Sequence, residues 1–421
     1  MNSSDREGVR KIDLSELSQL RKGKRFKTNY VRTSKYTWYN FIPINLFVQF
    51  TQKVANLYFL LIMYMQTIRI ISISNGQPAM APPLIFVVVL SMIKDAYEDY
   101  QRHKEDDLEN NSMTEVYSHS EMSFIQTRWS KVKVGDVVRV NENEFFPADM
   151  IMLSSTEEQG VFYVETKSLD GETNLKLKSV QKDMCPQFEV FSALDSLNGT
   201  ISIHTPNNRI HNFDGSFVSE QFTAPLSNDN VALRGMSLRN TESVTGIVVY
   251  SGHESKIQMN SSASKHKSSN ISRRTNNLIF QVFMIQIILS SFGSIIGTSW
   301  MAYNYDRAKY LGFNRADAWR TDSVLYFAKS VGTWILIFTN MVPISLIVTL
   351  EIVKFWQGIF MGYDVDMYDG DQDWPCKAQT TNINEELGQI EYIFSDKTGT
   401  LTCNIMEFKK LTTRGSGSFN L

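Results

Sequence analysis

The sequence predicts a multi-domain membrane protein: four transmembrane helices, a mostly β soluble domain between the second and third, and a short apolar strand near the C-terminal end. Three observations predict this. Hydrophobic residues make up 43% of the 421, but they are gathered into a few almost wholly apolar segments. Basic clusters precede the first and third of those segments. The long stretch between the second and third carries strand patterns and few helical ones.

A helix needs ~20 mostly apolar residues to cross a bilayer. Four segments approach this: about Leu46 to Ile73, Ala79 to Ile93, Leu278 to Tyr303 and Val324 to Met361. Ser74-Asn75-Gly76-Gln77-Pro78 reads as the turn between the first two. Runs such as Pro83-Leu84-Ile85-Phe86-Val87-Val88-Val89-Leu90 lack the polar face of a soluble helix. The fourth segment contains Pro343, which frees a carbonyl and breaks the helix. Arg21, Lys22, Lys24, Arg25, Lys27, Arg32 and Lys35 precede the first segment; Lys265, Lys267, Arg273 and Arg274 precede the third. Both flanks are therefore expected in the cytosol, with both termini on that side.

The soluble domain opens with a charged helical stretch, Glu98 to Glu109. Strands are expected around Val132–Val134, Val138–Val140 and Gly246-Ile247-Val248-Val249-Tyr250. Residues 259–277, rich in Ser, Asn and Lys, read as a flexible linker. The net charge of −2 gives no pull toward nucleic acid. The three cysteines, Cys185, Cys376 and Cys403, are too scattered for a disulfide framework or zinc site. Residues 1–40 are polar and lack the pattern of a secretory signal.

The most informative stretch is Ile393-Phe394-Ser395-Asp396-Lys397-Thr398-Gly399-Thr400-Leu401-Thr402. A short apolar strand delivers a carboxylate into a turn of hydroxyls and glycine, and such a carboxylate can attack a phosphoryl group. Lys397 brings positive charge; Thr398, Gly399 and Thr400 offer hydroxyl and backbone N–H donors to phosphate. An N-capped turn would account for a lone Asp-x-Thr but not for the whole run. This run resembles the phosphorylation sequence of P-type ATPases. The resemblance implies that ATP phosphorylates Asp396, with Mg2+ bound by Asp396 and the Thr398 carbonyl. It also makes the apolar strand the first strand of a truncated α/β phosphorylation domain.

A second motif, Tyr163 to Lys176, contains Asp170-Gly171-Glu172-Thr173. Asp-Gly is a tight-turn signal that places Glu172 on a loop, where a carboxylate can activate water. By itself it would pass for a solvated hairpin turn. In this order it resembles the actuator loop of P-type ATPases, which implies dephosphorylation assisted by Glu172. The initial Asp170 is similar to the lipid-flippase branch, the type IV P-type ATPases. Leu233-Arg234-Gly235, Leu238-Arg239-Asn240-Thr241 and Asn382 to Tyr392 resemble that branch too.

No Asp or Glu lies between Asn45 and Lys94, from Leu278 to Tyr305, or from Ser323 to Leu350. Intramembrane carboxylates mark ion sites, so their absence argues against a cation pump. The helix break reads Asn340-Met341-Val342-Pro343-Ile344-Ser345-Leu346. Pro-Ile-Ser-Leu resembles the flippase signature, which implies that Ile344 gates a lipid headgroup path and that Asn340 and Ser345 contact it. Gln66 matches the first glutamine of a Gln-Gln pair frequent in phosphatidylserine flippases, but Thr67 and Arg69 depart from that pattern.

The expected organisation is a cytosolic segment at 1–45, helices 1 and 2 within 46–97, actuator and linker at 98–277, helices 3 and 4 within 278–362, and the start of the phosphorylation domain at 363–421. The resemblance implies an ATP-driven phospholipid flippase of the eukaryotic plasma membrane or Golgi and endosomal membranes. It also implies an accessory β-subunit with two spans, for which Asn304–Asp322 offers Tyr305, Tyr310, Phe313 and Trp319. Nucleotide-binding elements do not follow Asp396 within these residues, so the chain alone is expected to be inactive. Alternatives are a non-catalytic truncated membrane protein acting by partner binding, and a cation-transporting P-type ATPase.

Overall fold

The computed structural model describes residues 8–14, 26–118, 120–171, 174–182, 199–219, 222–261, 267–304, 307, 323–370, 373–397, 400–402, 407–413 and 417–420. It separates into two compact units, Met1–Thr33 with His103–Ser264 and Tyr392–Leu421, and Ser34–Arg102 with Lys265–Glu391.

The first unit is built on β-strands. Its central sheet has the order β11-β5-β13-β4-β2-β3, from Val231–Ala232, Asp149–Ser155, Ser243–Tyr250, Val137–Asn141, Met113–Ser118 and Ser123–Arg128. The expected strand at Gly246–Tyr250 is the middle of β13, which pairs antiparallel with both β4 and β5. Its run of apolar residues is buried on both faces, which is why it reads as continuous rather than alternating. Strand β4 alternates as expected, with Val138 and Val140 buried and Arg139 half-buried against Glu115 and the Phe124 ring. Val132 and Val134 are buried but form no strand. They lead from a 3-10 turn at Trp129–Lys131 into a tight turn at Gly135, whose φ is 87°. Burial without ladder partners produces the same alternation, so the pattern alone misled.

A second sheet runs β1-β8-β9-β10, from Val9–Asp13, Thr200–His204, Gly215–Val218 and Thr223–Leu226. A third runs β12-β6-β7, from Ser237–Arg239, Val161–Glu165 and Lys176–Ser179. One apolar cluster, including Ile12, Phe146, Ile151, Phe162, Phe217 and Ile247, lies beneath all three. A hairpin of β14 (Lys410–Thr413) and β15 (Gly417–Asn420) follows the Asp396 stretch.

The second unit is helical: α1 (Phe41–Gln52), α2 (Val54–Thr67), α3 (Ala81–Asn111, running on into the first unit), α6 (Asn270–Asn304), α7 (Ser323–Ile337) and α8 (Ile344–Tyr363). Two short helices of the first unit, α4 (Lys167–Asp170) and α5 (Lys256–Asn260), complete the order. Among the described residues, Asn270–Asn304 and Val324–Gly362 are long and apolar enough to cross a membrane. The pair α1 and α2 adds a third only if counted together across a 97° bend. The expected second span is the apolar start of α3, continuous with the charged stretch expected to begin the soluble domain; its apolar part is too short to qualify.

The expected linker is helical in part. Met259 and Asn260 close α5, and α6 starts at Asn270, where the Ser269 hydroxyl accepts the Ser272 N–H (3.1 Å) as a helix cap. Buried apolar residues of α2, α3, α6 and α7 form the core of this unit, among them Phe59, Ile62, Leu84, Ile279 and Leu336.

Candidate functional site

The two loops expected to carry the phosphate chemistry both belong to the first unit. Lys167–Asp170 forms a single helical turn, closed by Gly171 at φ 73°, with the Gly171 N–H on the Lys167 carbonyl (3.1 Å). Left-handed backbone is where glycine is at ease and other residues are strained. The turn sits between β6 and β7, an antiparallel pair. Its foot is fixed: Arg239 Nε donates to Glu165 Oε2 (2.8 Å), and the Ser168 hydroxyl donates to the Gly235 carbonyl. Two motifs read separately in the sequence, Asp170-Gly171 and Leu233-Arg234-Gly235, are thus joined. Glu172 and Thr173 lie outside the described residues, as does the side chain of Asp170.

Asp396 stands in an extended segment that pairs with no strand among the described residues, so the expected strand is not formed. Ile393 and Phe394 are exposed, Phe394 at 96%. A single strand without neighbours has nothing to cover its faces. The Asp396 carboxylate is exposed and accepts the Lys397 N–H (2.8 Å). The Lys397 carbonyl accepts the N–H groups of Leu401 (3.0 Å) and Thr402 (3.1 Å), which curls the loop back on itself. Thr400 is exposed; Thr398 and Gly399 lie outside the described residues. Exposed oxygen donors such as the Asp396 carboxylate suit Mg2+ chemically.

The helix break falls where Pro343 predicts it. Helix α7 tightens into a 3-10 turn at Phe338–Met341, Val342 is extended, and α8 starts after Pro343. Pro343 has no N–H for the Thr339 carbonyl. That carbonyl instead accepts the Val342 N–H (3.3 Å) and the Tyr58 hydroxyl (3.4 Å). The same hydroxyl lies 3.0 Å from Gln286 Oε1, while Gln286 Nε2 donates to the Ile335 carbonyl (2.8 Å). Ile344 packs on the apolar cluster that includes Tyr58, Phe59 and Ile62 of α2. Asn340 and Ser345 are exposed at the break. Gln66 has a structural task, its Oε1 accepting the Met80 N–H (3.0 Å) at the start of α3.

Sequence reading missed an ionic cluster in this unit. Glu351, on α8 just beyond the acid-free stretch, pairs with Lys53 (2.6 Å) and lies 3.7 Å from Lys94. Lys53 also donates to the Ser91 hydroxyl (3.1 Å), and Lys94 to Asn382 Oδ1 (2.6 Å). A cavity of about 210 Å³ opens beside it, lined by Lys53, Asn276, Glu351, Lys354 and Glu385 over an apolar floor of Ala55, Ile279 and Ile347. Lys354 pairs with Glu385 (2.7 Å), which also accepts the Ser269 hydroxyl (2.7 Å). Burial alone would raise the Glu385 carboxyl; the Lys354 and Ser269 hydrogen bonds outweigh it and hold it below the usual range. The signal in the sequence was Lys53, a charge well inside an apolar run. The aromatic surface expected for an accessory subunit, Tyr305, Tyr310, Phe313 and Trp319, lies outside the described residues. No group of three or more metal-ligating side chains occurs among the described residues.

Comparison with known proteins gives this geometry its family. Residues 12–80 match the phospholipid-translocating ATPase N-terminal model. The chain is 38% identical over 393 residues to phospholipid-transporting ATPase DRS2 of Saccharomyces cerevisiae, covering 93% of the chain and 28% of that protein. It is 39% identical over 394 residues to phospholipid-transporting ATPase IC of Homo sapiens, covering 94% of the chain and 31% of that protein. With human phospholipid-transporting ATPase VD the identity is 38% over 391 residues, 93% of the chain and 27% of the relative. The chain thus spans less than a third of the length of these relatives. Its sequence belongs to the type IV P-type ATPases, the phospholipid-transporting family, as an N-terminal portion of such a protein.

Proposed function

We propose that the protein carrying this chain is an ATP-driven phospholipid flippase that moves lipid toward the cytosolic leaflet through an aspartyl phosphate. The observation that supports this reading most is the break at Pro343. An apolar Ile344 follows the proline, and hydrogen-bonding groups rather than free carboxylates surround the unwound turn. A zwitterionic headgroup needs hydrogen-bonding partners and room, not a cage of charge.

In this reading an Asp396 carboxylate oxygen bonds to the γ-phosphorus of ATP. The bridging P–O bond breaks, and ADP leaves with its electron pair. Lys397, Thr398, Gly399 and Thr400 steady the transferred phosphoryl group. Asp396 and the Thr398 carbonyl would hold Mg2+, which when bound would supply charge neutralisation for the phosphate oxygens. For release, Glu172 accepts a proton from a water whose oxygen attacks the phosphorus, and the acyl phosphate P–O bond breaks. Inorganic phosphate leaves and the Asp396 carboxylate is restored. Asp170, Gly171 and Thr173 aim Glu172 on its loop. Asn340, Pro343, Ile344, Ser345 and Gln66 line the headgroup path.

We extend the reading to four spans, both termini of this chain in the cytosol, the actuator and phosphorylation domains at the stated boundaries, an accessory β-subunit on the extracytosolic loops, and residence in plasma, Golgi or endosomal membranes. The chain alone is expected not to turn over ATP, because the exposed Ile393 and Phe394 leave Asp396 on an unsupported loop. Measurable ATPase activity of purified residues 1–421 would contradict that. For the complete protein, uptake of labelled phospholipid into cells or vesicles is expected to vanish with Asp396→Asn. Equal uptake by variant and wild type would sink the flippase reading.

A further inference from the structure

Tyr58 on α2 and Gln286 on α6 are buried polar side chains to which the transport reading gives no task. A buried phenol or amide is costly unless it is hydrogen-bonded. Both spend their bonds on the turn that leads from α7 to α8. Gln286 Nε2 donates to the Ile335 carbonyl (2.8 Å), just before the break. The Tyr58 hydroxyl reaches the Thr339 carbonyl (3.4 Å), which Pro343 leaves without its helical donor. Thr339 cannot hold itself to another helix, because its own hydroxyl is returned to the Leu336 carbonyl (2.7 Å). The turn is therefore gripped from α2 and α6. The Tyr58 ring is fixed in its turn, edge-on to Phe59 and to Phe283 of α6, with centroids 5.2 and 5.6 Å away.

The donor count shows how tight the grip is. The Tyr58 hydroxyl has one proton and two acceptors, Gln286 Oε1 at 3.0 Å and the Thr339 carbonyl at 3.4 Å. The other donor to that carbonyl, the Val342 N–H, is also distant (3.3 Å). The Thr339 carbonyl thus rests on two long bonds, and loss of the hydroxyl leaves it one. Its orientation matters to the next residue. The Thr339 carbonyl and the Asn340 N–H belong to one planar peptide unit, so turning the carbonyl turns the start of Asn340. Asn340 is exposed at the break, where the headgroup path is read.

We propose that Tyr58 and Gln286 are positioning residues for the headgroup path. They orient the Thr339–Asn340 peptide, and through it Asn340, without touching lipid themselves. The inference rests on the reading of the Pro343 break as that path. Without the Tyr58 hydroxyl the turn samples several orientations, and only a fraction of them presents Asn340 to the headgroup. Apparent lipid affinity falls by that fraction. Saturating lipid restores the maximal rate, because binding selects the competent turn. Loss of one hydrogen bond of this kind corresponds to roughly a three- to tenfold change.

The test uses the complete protein in detergent with γ-labelled ATP and Mg2+. Short-chain phosphatidylserine, phosphatidylethanolamine and phosphatidylcholine are titrated one at a time, and discharge of the Asp396 phosphate is followed. Tyr58→Phe and Gln286→Leu are each expected to raise the half-saturating lipid concentration roughly three- to tenfold. Phosphate formed before lipid is added, and the maximal discharge rate, stay as in the wild type. The double variant is expected to add little to the worse single one, since both act on one turn. An unchanged half-saturation, fully independent effects, or less phosphate with the same lipid response contradicts the proposal; the last is what a purely structural role gives. A wild type that ignores all three lipids sinks the flippase reading and this inference with it. A responsive wild type with unmoved variants sinks this inference alone. A second measurement needs no transport. In the 421-residue chain, labelled with carbonyl-13C threonine and 15N asparagine, the Thr339–Asn340 signal is identified by its loss in Thr339→Ser. Tyr58→Phe is expected to move that carbonyl upfield, as loss of a hydrogen bond does, and a carbonyl that does not move overturns the proposal.

Discussion

Arg234 is nearly buried, and each part of it is used. Nε and Nη2 donate to Glu109 Oε1 (3.1 and 2.7 Å), and Nη1 to Asn29 Oδ1 (2.8 Å). Its backbone N–H donates to Asp149 Oδ1 (2.9 Å), whose other oxygen accepts the Lys256 N–H (2.8 Å). Asn29, wholly buried, also donates to the carbonyls of Trp129 and Pro147. Removing one partner of such a network leaves the others unpaired. Arg234→Met is therefore expected to cost about 2 kcal/mol, the Glu109 end being partly open to water. Amide exchange along β13 measures it. Asp149 gives a pH signature. Burial pushes its carboxyl up to about 6, against the two backbone N–H bonds that lower it. The folded state then holds a proton that the unfolded state has lost, so stability falls as pH rises from about 4 to 6 and is level above. The same exchange measurement at pH 4.5 and 6.5 checks the sign. Leu233-Arg234-Gly235 was visible as a motif, but its partners lie 205 and 125 residues away. No spacing rule reaches that far.

At the scale of elements, uniform hydrophobicity hides bends. Residues 46–73 read as one span because every turn is apolar, yet α1 and α2 separate at Lys53. What sets the bend is a side chain from elsewhere. Asn276 on α6 donates through Nδ2 to the Gln52 carbonyl (2.9 Å) and accepts the Val54 N–H through Oδ1 (3.2 Å). One amide thus satisfies both backbone groups that the break exposes. Asn276→Ala is expected to destabilise the helical unit by about 1–3 kcal/mol, seen as a lower midpoint in thermal unfolding of the detergent-solubilised chain. Asn276→Asp should recover only the N–H bond and fall between. The break at Pro343 was legible for the opposite reason. Proline acts through its own missing N–H, so the cause lies in the same residue as the effect.

For the molecule as a whole, the β unit with its flippase-like turns and the apolar helices were legible, because periodicity and motif order are local. The ionic cluster of Lys53, Lys94 and Glu351 was not, since it is assembled from the break between α1 and α2 and from two helices distant in sequence, α3 and α8. Nor was the exposure of Ile393 and Phe394, whose segment pairs with no strand among the described residues. The central claim is that Asp396 is the phosphate acceptor of an ATP-driven phospholipid-transport cycle. The most direct measurement incubates the complete protein with γ-labelled ATP and Mg2+, quenches in acid and maps the label. The account predicts a hydroxylamine-sensitive phosphate on the peptide containing Asp396, absent in Asp396→Asn, prolonged in Glu172→Gln, and discharged faster when phospholipid substrate is added. Label that persists in Asp396→Asn, or that responds to a cation and to no phospholipid, would contradict it.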